Sequence, residues 1–489
     1  MKTIKLNKIL NVIKKYKIIN YKNILINGIA ESSNDVQKGN IFICIKGSSY
    51  DGHNFINEAL KKGAAAVIAL KEVKVPGNIP LIIVKDTKET LFKITDYYYS
   101  DVKKNIKIYG ITGTKGKTTV SYMIGDIIKK GIKKDVTIIG TIAYKIGNKI
   151  YESKNTTPSN LTIHKLIAES ARKNIKNIIM EVSSHALDQE RIKNINFDVA
   201  IITNVTRDHF DYHHDYKNYL KAKLKIVNNL KEGGTLVINI DDKSSQYFIE
   251  KAKSKKAKIV TYSINKDSDI KIFKSDINIK RMLAQIKIKN KIYNIKSKLI
   301  GEHNLHNIMA SIGASYNFIN MKKIINVLNK FKGVKGRMEV IYNKDFLVIV
   351  DYAHNADSLK ETLITLNKIK KGKIITLFGA GGNRDKGKRP IMGAVAERFS
   401  DVLIVTSDNP RFEEPMEIIK DILIGTKGNV KIFAIKNRRQ AIYKAIKIAE
   451  KKDIVLLAGK GHEVYQEIKG KKYPFEDGKI ALRAIKELK

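Results

Sequence analysis

The chain has one cysteine, no tryptophan and seven prolines in 489 residues. A single cysteine excludes an intramolecular disulfide framework and a cysteine metal cluster. Cys44 lies in "IFICIKG", which reads as a buried strand, not as the setting of a reactive thiol. Long apolar runs are missing too. No stretch approaches the roughly 18–20 uninterrupted apolar residues that a membrane span needs. The opening "MKTIKLNKILNVIKKYKIIN" has lysine scattered where a signal peptide carries a continuous apolar region. These absences predict a cytoplasmic protein without a membrane span. Acid is scarce: 48 Asp and Glu face 92 Lys and Arg, a formal net charge of +44. That excess invites a nucleic-acid reading. However, lysine is spread along the whole chain and forms no stripe or tail. It accompanies abundant Ile and Asn, the set that A/T-rich codons produce together. The charge is read as a solvated lysine surface, compatible with a polyanionic small substrate. Nucleic acid is not an expected partner.

Apolar content is 43%, enough for a sizeable core, and the length suggests two to four domains at roughly 100–200 residues each. Up to about residue 96 the chain contains the strand-like "NIFICIKG" and a segment read as helical, "FINEALKKGAAAVIAL". From about residue 105, "NIKIYGIT", "NIIMEV", "DVAIITNV" and "TLVINI" alternate with helical stretches. That grammar predicts a parallel sheet with crossover helices. "DIKIFKSDINIKRMLAQIKIKNKIYNIKSKLI" alternates without helices and reads as an antiparallel appendage. After Phe331, "FLVIVDY", "KIITLFG", "DVLIVTSD", "NVKIFAI" and "DIVLLAG" predict a second doubly wound unit. Its ligands belong beyond the carboxyl ends of those strands. The fold class is therefore α/β in three units: a small α/β unit over 1–96, a central phosphate-loop sheet over 97–331, and a Rossmann-like unit over 332–489.

"YGITGTKGKTTVSYM" runs from Tyr109 to Met123 and holds the chemistry most visible in the sequence. Its strand, glycine loop and helix suit a phosphate cradle. Backbone N–H groups of Gly113, Thr114, Lys115, Gly116 and Lys117 can wrap phosphates, and the helix N-terminus adds its positive dipole end. Lys117 supplies a point charge, and Thr118 or Thr119 can reach Mg²⁺. Val120, Met123, Ile124, Ile127 and Ile128 mark the buried face of the helix, stopped by Gly131. The usual G-x-x-x-x-G-K-[ST] spacing wants glycine at 111, where this chain has Ile111. This is not the ordinary Walker loop.

The loop is followed in order by "NTTPSN", "MEVSSHALDQERI", "TNVTRDHFDYHHDYKNYLKAK", "GEHNLHN", "GRME", "DYAHNADSL", "FGAGGNRDKGKRP", "DNPRFEEP" and "AGKGHE". Together, over about residues 30–480, these motifs resemble the Mur ligase family, the ATP-dependent amino-acid ligases of peptidoglycan precursor synthesis. Folylpolyglutamate synthetase is a more distant relative. The pattern is closest to the members that add the third residue, meso-2,6-diaminopimelate, to UDP-N-acetylmuramoyl-L-alanyl-D-glutamate.

The resemblance implies ATP as co-substrate, Mg²⁺, and these roles. Glu181 and His209 would ligate the metal with Thr118, while Asp208 and Asp211 read as structural and His213 and His214 as surface residues. Lys223, eleven positions after Tyr212, matches the family's modified lysine, whose amine takes up CO₂ to become a carbamate ligand. Asn304, Asn307, Arg337, Asp351 and His354 would face ATP. Asn155, Thr156, Thr157, Ser183, Gln189 and Arg191 would hold the muramoyl-dipeptide, with Ser33 on the uridine diphosphate. Diaminopimelate would be held by Arg384, Asp408, Asn409, Pro410, Arg411, Gly459 and Glu463, with Arg411 as a bidentate carboxylate fork and Glu463 facing an ammonium. The chain departs from the family pattern at Asn34, Asn383 and Gly478, where arginine, aspartate and arginine are common. A monomer is expected. The rival readings are an L-lysine-adding or folate-polyglutamate ligase, a nucleotide-binding regulatory switch, and a nucleic-acid-binding module.

Overall fold

The computed structural model describes residues 3–47, 50–103, 105–278 and 281–488. Its first sheet has five strands, in the order Lys17–Ile19, Leu81–Ile83, Ala66–Ala69, Asn40–Ile43 and Gly28–Ala30. All neighbours but the first pair run parallel. "FINEALKKGAAAVIAL" is not one helix. The helix covers only Ile56–Lys61, Gly63 turns the chain at φ +92°, and Ala66–Ala69 is a strand buried between two parallel neighbours. Short apolar runs cannot be told apart by periodicity alone, and the glycine decides here. Cys44 is fully buried just past its strand, and burial pushes its thiol up to about 12.

The second sheet has eleven strands. Seven parallel strands form its middle: Val136–Ile139, Asn177–Glu181, Lys107–Thr112, Phe197–Ile202, Leu230–Asn239, Lys258–Ser263 and Ile270–Ile277. The helix Lys117–Gly131 follows Lys107–Thr112 and buries Val120, Met123, Ile124, Ile127 and Ile128 completely. Each such side chain removed from water contributes roughly 1.5–3 kcal/mol. The alternating segment 270–297 is not an appendage. Ile270–Ile277 pairs parallel with Lys258–Ser263, and the antiparallel strands Met282–Ile288 and Lys291–Ser297 extend the same sheet. The hydrophobic pattern gives pairing partners within the meander but not the register that joins it to the sheet.

The third sheet runs Glu339–Asn343, Leu347–Asp351, Ile454–Ala458, Ile374–Phe378, Val402–Thr406 and Lys431–Ile435. The last five are the strands expected from the sequence, and they are mutually parallel. Separate apolar clusters cover the two faces, which is why these strands read as continuous apolar runs. Two ion pairs cross from the central body to the third: Lys115 with Glu361, and Lys472 Nζ with Glu152 Oε1 at 2.9 Å. No described helix is long and apolar enough to cross a membrane.

Candidate active site

The glycines of the phosphate loop fall at 110, 113 and 116 because each has a neighbour against its missing side chain. A Cβ on Gly110 would meet Phe197 at 2.7 Å, one on Gly113 would strike Thr203, and one on Gly116 would strike Asn307. Gly113 and Gly116 also hold φ of +152° and +85°. The loop is pinned from the next strand. Thr114 N donates to Asn204 O at 2.8 Å, Lys115 N to Asn204 Oδ1 at 3.0 Å, and Thr203 Oγ1 to Lys115 O at 2.6 Å. The Thr114 hydroxyl lies 3.0 Å from the Tyr219 hydroxyl. Lys117 folds over the loop and donates to Gly113 O at 2.7 Å and Thr114 O at 3.0 Å. Burial pulls its ammonium below the usual lysine range, while Glu181 and Asp208 pull it back up. Thr119 lies half-buried beside Thr118.

Glu181 ends the strand Asn177–Glu181 and is fully buried. Its Oε2 accepts from Thr118 Oγ1 at 2.8 Å and Thr141 Oγ1 at 3.0 Å, and its Oε1 accepts from Thr141 N at 3.1 Å. Carboxylate and hydroxyl therefore share one point at the mouth of the loop, an oxygen set that suits a hard cation. His209 sits at φ +54° and caps the short helix Phe210–His213. Its ring is 4.8 Å from His185, which packs on Tyr212 at 4.3 Å and His213 at 5.5 Å. Asp208 Oδ1 accepts from His209 N at 3.0 Å. His213 is not a surface residue: it is buried with Nε2 unpartnered, whereas His214 is exposed. Burial, then the neighbouring imidazoles of His209 and His213, hold His185 down at about 4. Among the described residues no three His, Cys, Asp or Glu side chains converge as a metal cage. An ion that keeps waters and binds substrate phosphates, as Mg²⁺ does, requires none.

Lys223 lies on the helix Tyr216–Leu224, capped by Asp215. It is 1% exposed, unlike Lys217, Lys221 and Lys225 on the same stretch, and its Nζ stands 4.6 Å from the centre of the Tyr219 ring. Burial, then nearby Lys117, push its ammonium well below the ordinary lysine range.

Thr157, Ser183, Gln189 and Arg191 form one wall. Thr157 Oγ1 donates to Glu181 O at 2.8 Å and accepts from Ser183 N at 3.0 Å. Arg191 donates to Thr157 O at 2.9 Å and grips Gln189 Oε1 through Nε and Nη2 at 2.9 and 2.6 Å. Thr156 Oγ1 lies 3.1 Å from Thr141 Oγ1, which ties this wall to Glu181; Asn155 is exposed at its edge. Ser33 is buried in the first body and its hydroxyl donates to Glu58 Oε2 at 3.0 Å.

The third body faces the loop with Arg337, whose guanidinium lies 4.7 Å over the Tyr352 ring and whose Nε is buried without a partner. Asp351 closes its strand and accepts from Met338 N and Ala353 N at 2.7 and 3.0 Å. His354 is exposed, with Nδ1 2.8 Å from Tyr352 O. Asn304 Oδ1 accepts from Asn307 Nδ2 at 3.0 Å, and Asn307 underlies Gly116.

At the carboxyl ends of the third sheet, Asp408 Oδ1 accepts from Asn409 N at 2.7 Å and Gly459 turns at φ +107° beside Asp408. Glu463 already meets an ammonium, that of Lys460, at 3.0 Å, and also accepts from Asn409 Nδ2 at 2.8 Å. Arg411, just after Pro410, is not a wholly free fork. Its Nε donates to Glu467 Oε2 at 3.1 Å and its Nη1 to Gly382 O at 2.8 Å. Arg384 is exposed across Gly381 from it. Sequence reasoning missed Lys460, Glu467 and the fully buried Arg438–Asp477 pair at 2.6 Å, which supports this floor through Ser407 O and Ala458 O. Lys460 stands inside the quoted "AGKGHE"; Glu467 and Arg438 carry no local signal.

Three family models match the chain: "Mur ligase family, catalytic domain" at residues 25–99, "Mur ligase middle domain" at 111–315, and "Mur ligase, glutamate ligase domain" at 336–461. The UDP-N-acetylmuramoyl-L-alanyl-D-glutamate–2,6-diaminopimelate ligase of Aquifex aeolicus is 41% identical over 93% of this chain and 92% of that protein. The ligase of the same name from Fusobacterium nucleatum is 40% identical over 96% of each. A solved structure of an enzyme of that name superposes with a TM-score of 0.70 at 30% identity, covering 99% of both chains. The chain belongs to the Mur ligase family.

Proposed function

We propose that the chain is an ATP-dependent ligase that joins meso-2,6-diaminopimelate to the D-glutamate of UDP-N-acetylmuramoyl-L-alanyl-D-glutamate in the cytoplasm. The observation that carries the reading is the end-to-end match to relatives of that name, supported by Glu181 bonded to Thr118 at the head of the phosphate-loop helix. Division of labour follows the three bodies: residues 1–96 for the UDP-sugar, 97–331 for ATP, and 332–489 for the amino acid.

The γ-phosphate of ATP passes to the D-glutamate side-chain carboxylate and ADP departs. The amine of diaminopimelate then attacks the acyl phosphate, phosphate leaves, and the nitrogen loses a proton. The transferring group is highly charged, so catalysis is mostly positioning and cations. Lys117 releases Gly113 O and Thr114 O to meet the phosphates, and Arg337 faces them from the third body. Thr118, Glu181 and His209 would hold Mg²⁺, which when bound neutralises charge on the phosphates. Thr157, Ser183, Gln189 and Arg191 orient the dipeptide. Burial and nearby Lys117 push the Lys223 ammonium well below the ordinary lysine range, toward the neutral amine that takes up CO₂. As a carbamate it would offer an anionic ligand near the same phosphates.

The test is ATP-dependent phosphate release with the UDP-linked dipeptide and a panel of amino acids. Release only with dipeptide and meso-diaminopimelate is expected. Release with L-lysine instead makes it the lysine-adding enzyme. Hydrolysis that ignores both substrates leaves a nucleotide switch.

A further inference from the structure

We infer that the hairpin over residues 465–474 presets Arg411 for the incoming amino acid, with Glu467 as its positioning residue. The inference rests on the diaminopimelate reading of this pocket. Arg411 sits at φ +52°, a strained conformation for a non-glycine residue that persists only where its surroundings over-determine it. The hairpin supplies that constraint. Arg411 N donates to Glu467 O at 3.1 Å, Lys469 N donates to Arg411 O at 2.7 Å, and a parallel bridge joins Arg411 to Ile468.

The side chain is held by the same strand. Glu467 Oε2 takes Nε and Gly382 O takes Nη1, so two acceptors from different loops fix the guanidinium plane. Nη2 donates to nothing among the described residues, and with the second Nη1 hydrogen it leaves an end-on fork for a carboxylate. Glu467 is itself fixed. Its N donates to Asn409 Oδ1 at 2.9 Å, and the adjoining Gln466 Nε2 donates to Asp408 O at 2.6 Å. Asn409 in turn joins Lys460 and Glu463. The grip on the amino-acid end and the grip on the far carboxylate are therefore one hydrogen-bonded unit.

Holding the guanidinium in place before substrate arrives removes an ordering cost from binding. Glu467 also offsets part of the Arg411 charge, so orientation does more than excess charge to favour a second carboxylate. Glu467→Met keeps the length and the backbone pairing of the strand but removes the acceptor. It should raise KM for meso-diaminopimelate by about tenfold or more, with kcat at saturation and KM for ATP near wild type, the pattern of lost ground-state binding. Glu467→Gln keeps an oxygen for Nε and should restore KM to within about threefold. A Glu467→Met enzyme with wild-type KM for diaminopimelate overturns the inference. So does a Gln variant as impaired as the Met variant, or a fall in kcat and ATP use alongside KM, which marks a merely structural role. Wild-type enzyme that makes no use of diaminopimelate instead defeats the reading of the pocket, before any variant is compared.

Discussion

At the residue scale, two lysines of the site are alike in chemistry and opposite in setting. Lys117 is anchored on its own loop carbonyls, whereas Lys223 is buried beside an aromatic face with no carboxylate bonded to it among the described residues. Removing the Lys117 cation leaves the loop backbone pinned by Thr203 and Asn204, so Lys117→Ala should fold normally. It should lose phosphate release by about 10³-fold, on the order expected for a phosphate-clamp cation. Near-normal release would refute its role. For Lys223 the expected outcome is a ¹³C carbamate signal when enzyme is equilibrated with labelled bicarbonate, absent in Lys223→Ala. An unlabelled Lys223 in active enzyme would refute the modification. The sequence made Lys117 legible because its neighbours in the chain are its neighbours in space. Lys223 was legible only through resemblance: nothing in "YLKAKLKIV" says which lysine turns inward, and the structure shows that it is Lys223 alone. Glu467 and Arg438 stayed invisible, since each acts on a partner 56 or 39 positions away.

At the element scale, the strands and the phosphate-loop helix follow from apolar periodicity, and the errors follow from its limits. The segment 56–69 holds a helix and a strand because Gly63 breaks it, and a run of Ala, Val and Ile suits either state. The meander at 270–297 joins the central sheet through one parallel pairing that no local pattern encodes. The loop departs from the common spacing at Ile111, and the reason is now physical. Position 111 is a fully buried strand residue, while the glycines at 113 and 116 meet Thr203 and Asn307. Gly116→Ala therefore places a methyl against Asn307 at a φ of +85°. It should destabilise the fold by about 1–3 kcal/mol and weaken ATP binding beyond that, read from a urea midpoint and an ATP titration. An alanine variant with unchanged affinity for ATP would show that the loop does not hold the phosphates.

At the scale of the whole molecule, exposed ion pairs join the bodies, Lys88–Glu190 and Lys193–Glu89 between the first and the central, Lys115–Glu361 and Lys472–Glu152 between the central and the third, each worth roughly 0–1 kcal/mol and screened by salt. Such contacts steer the bodies without locking them, as an enzyme that admits three substrates requires. Acid has a stronger hold on the assembled molecule. His185, His303 and His462 are all held at about 4, in each case chiefly by burial and then by neighbouring cationic groups. An unfolded histidine titrates near 6.5. Between those values the unfolded chain binds protons that the folded chain refuses, so stability must rise with pH across the interval and fall as pH drops through it. The contribution is fully present above about pH 6.5 and is lost progressively toward pH 4. Nothing in the net charge opposes the loss, because a chain already at +44 gains further repulsion as its carboxylates protonate. The urea midpoint should therefore decline between pH 7.5 and pH 5, before most carboxylates titrate near pH 4. Replacing His185, His303 and His462 together with glutamine should remove much of that decline, His209, His213, His306 and His354 adding a smaller part in the same direction, while leaving the slope below about pH 4.5, which belongs to the acids. A triple variant that follows the wild-type curve throughout would show that these imidazoles are protonated at little cost in the fold, and that the site around His185 is open to water.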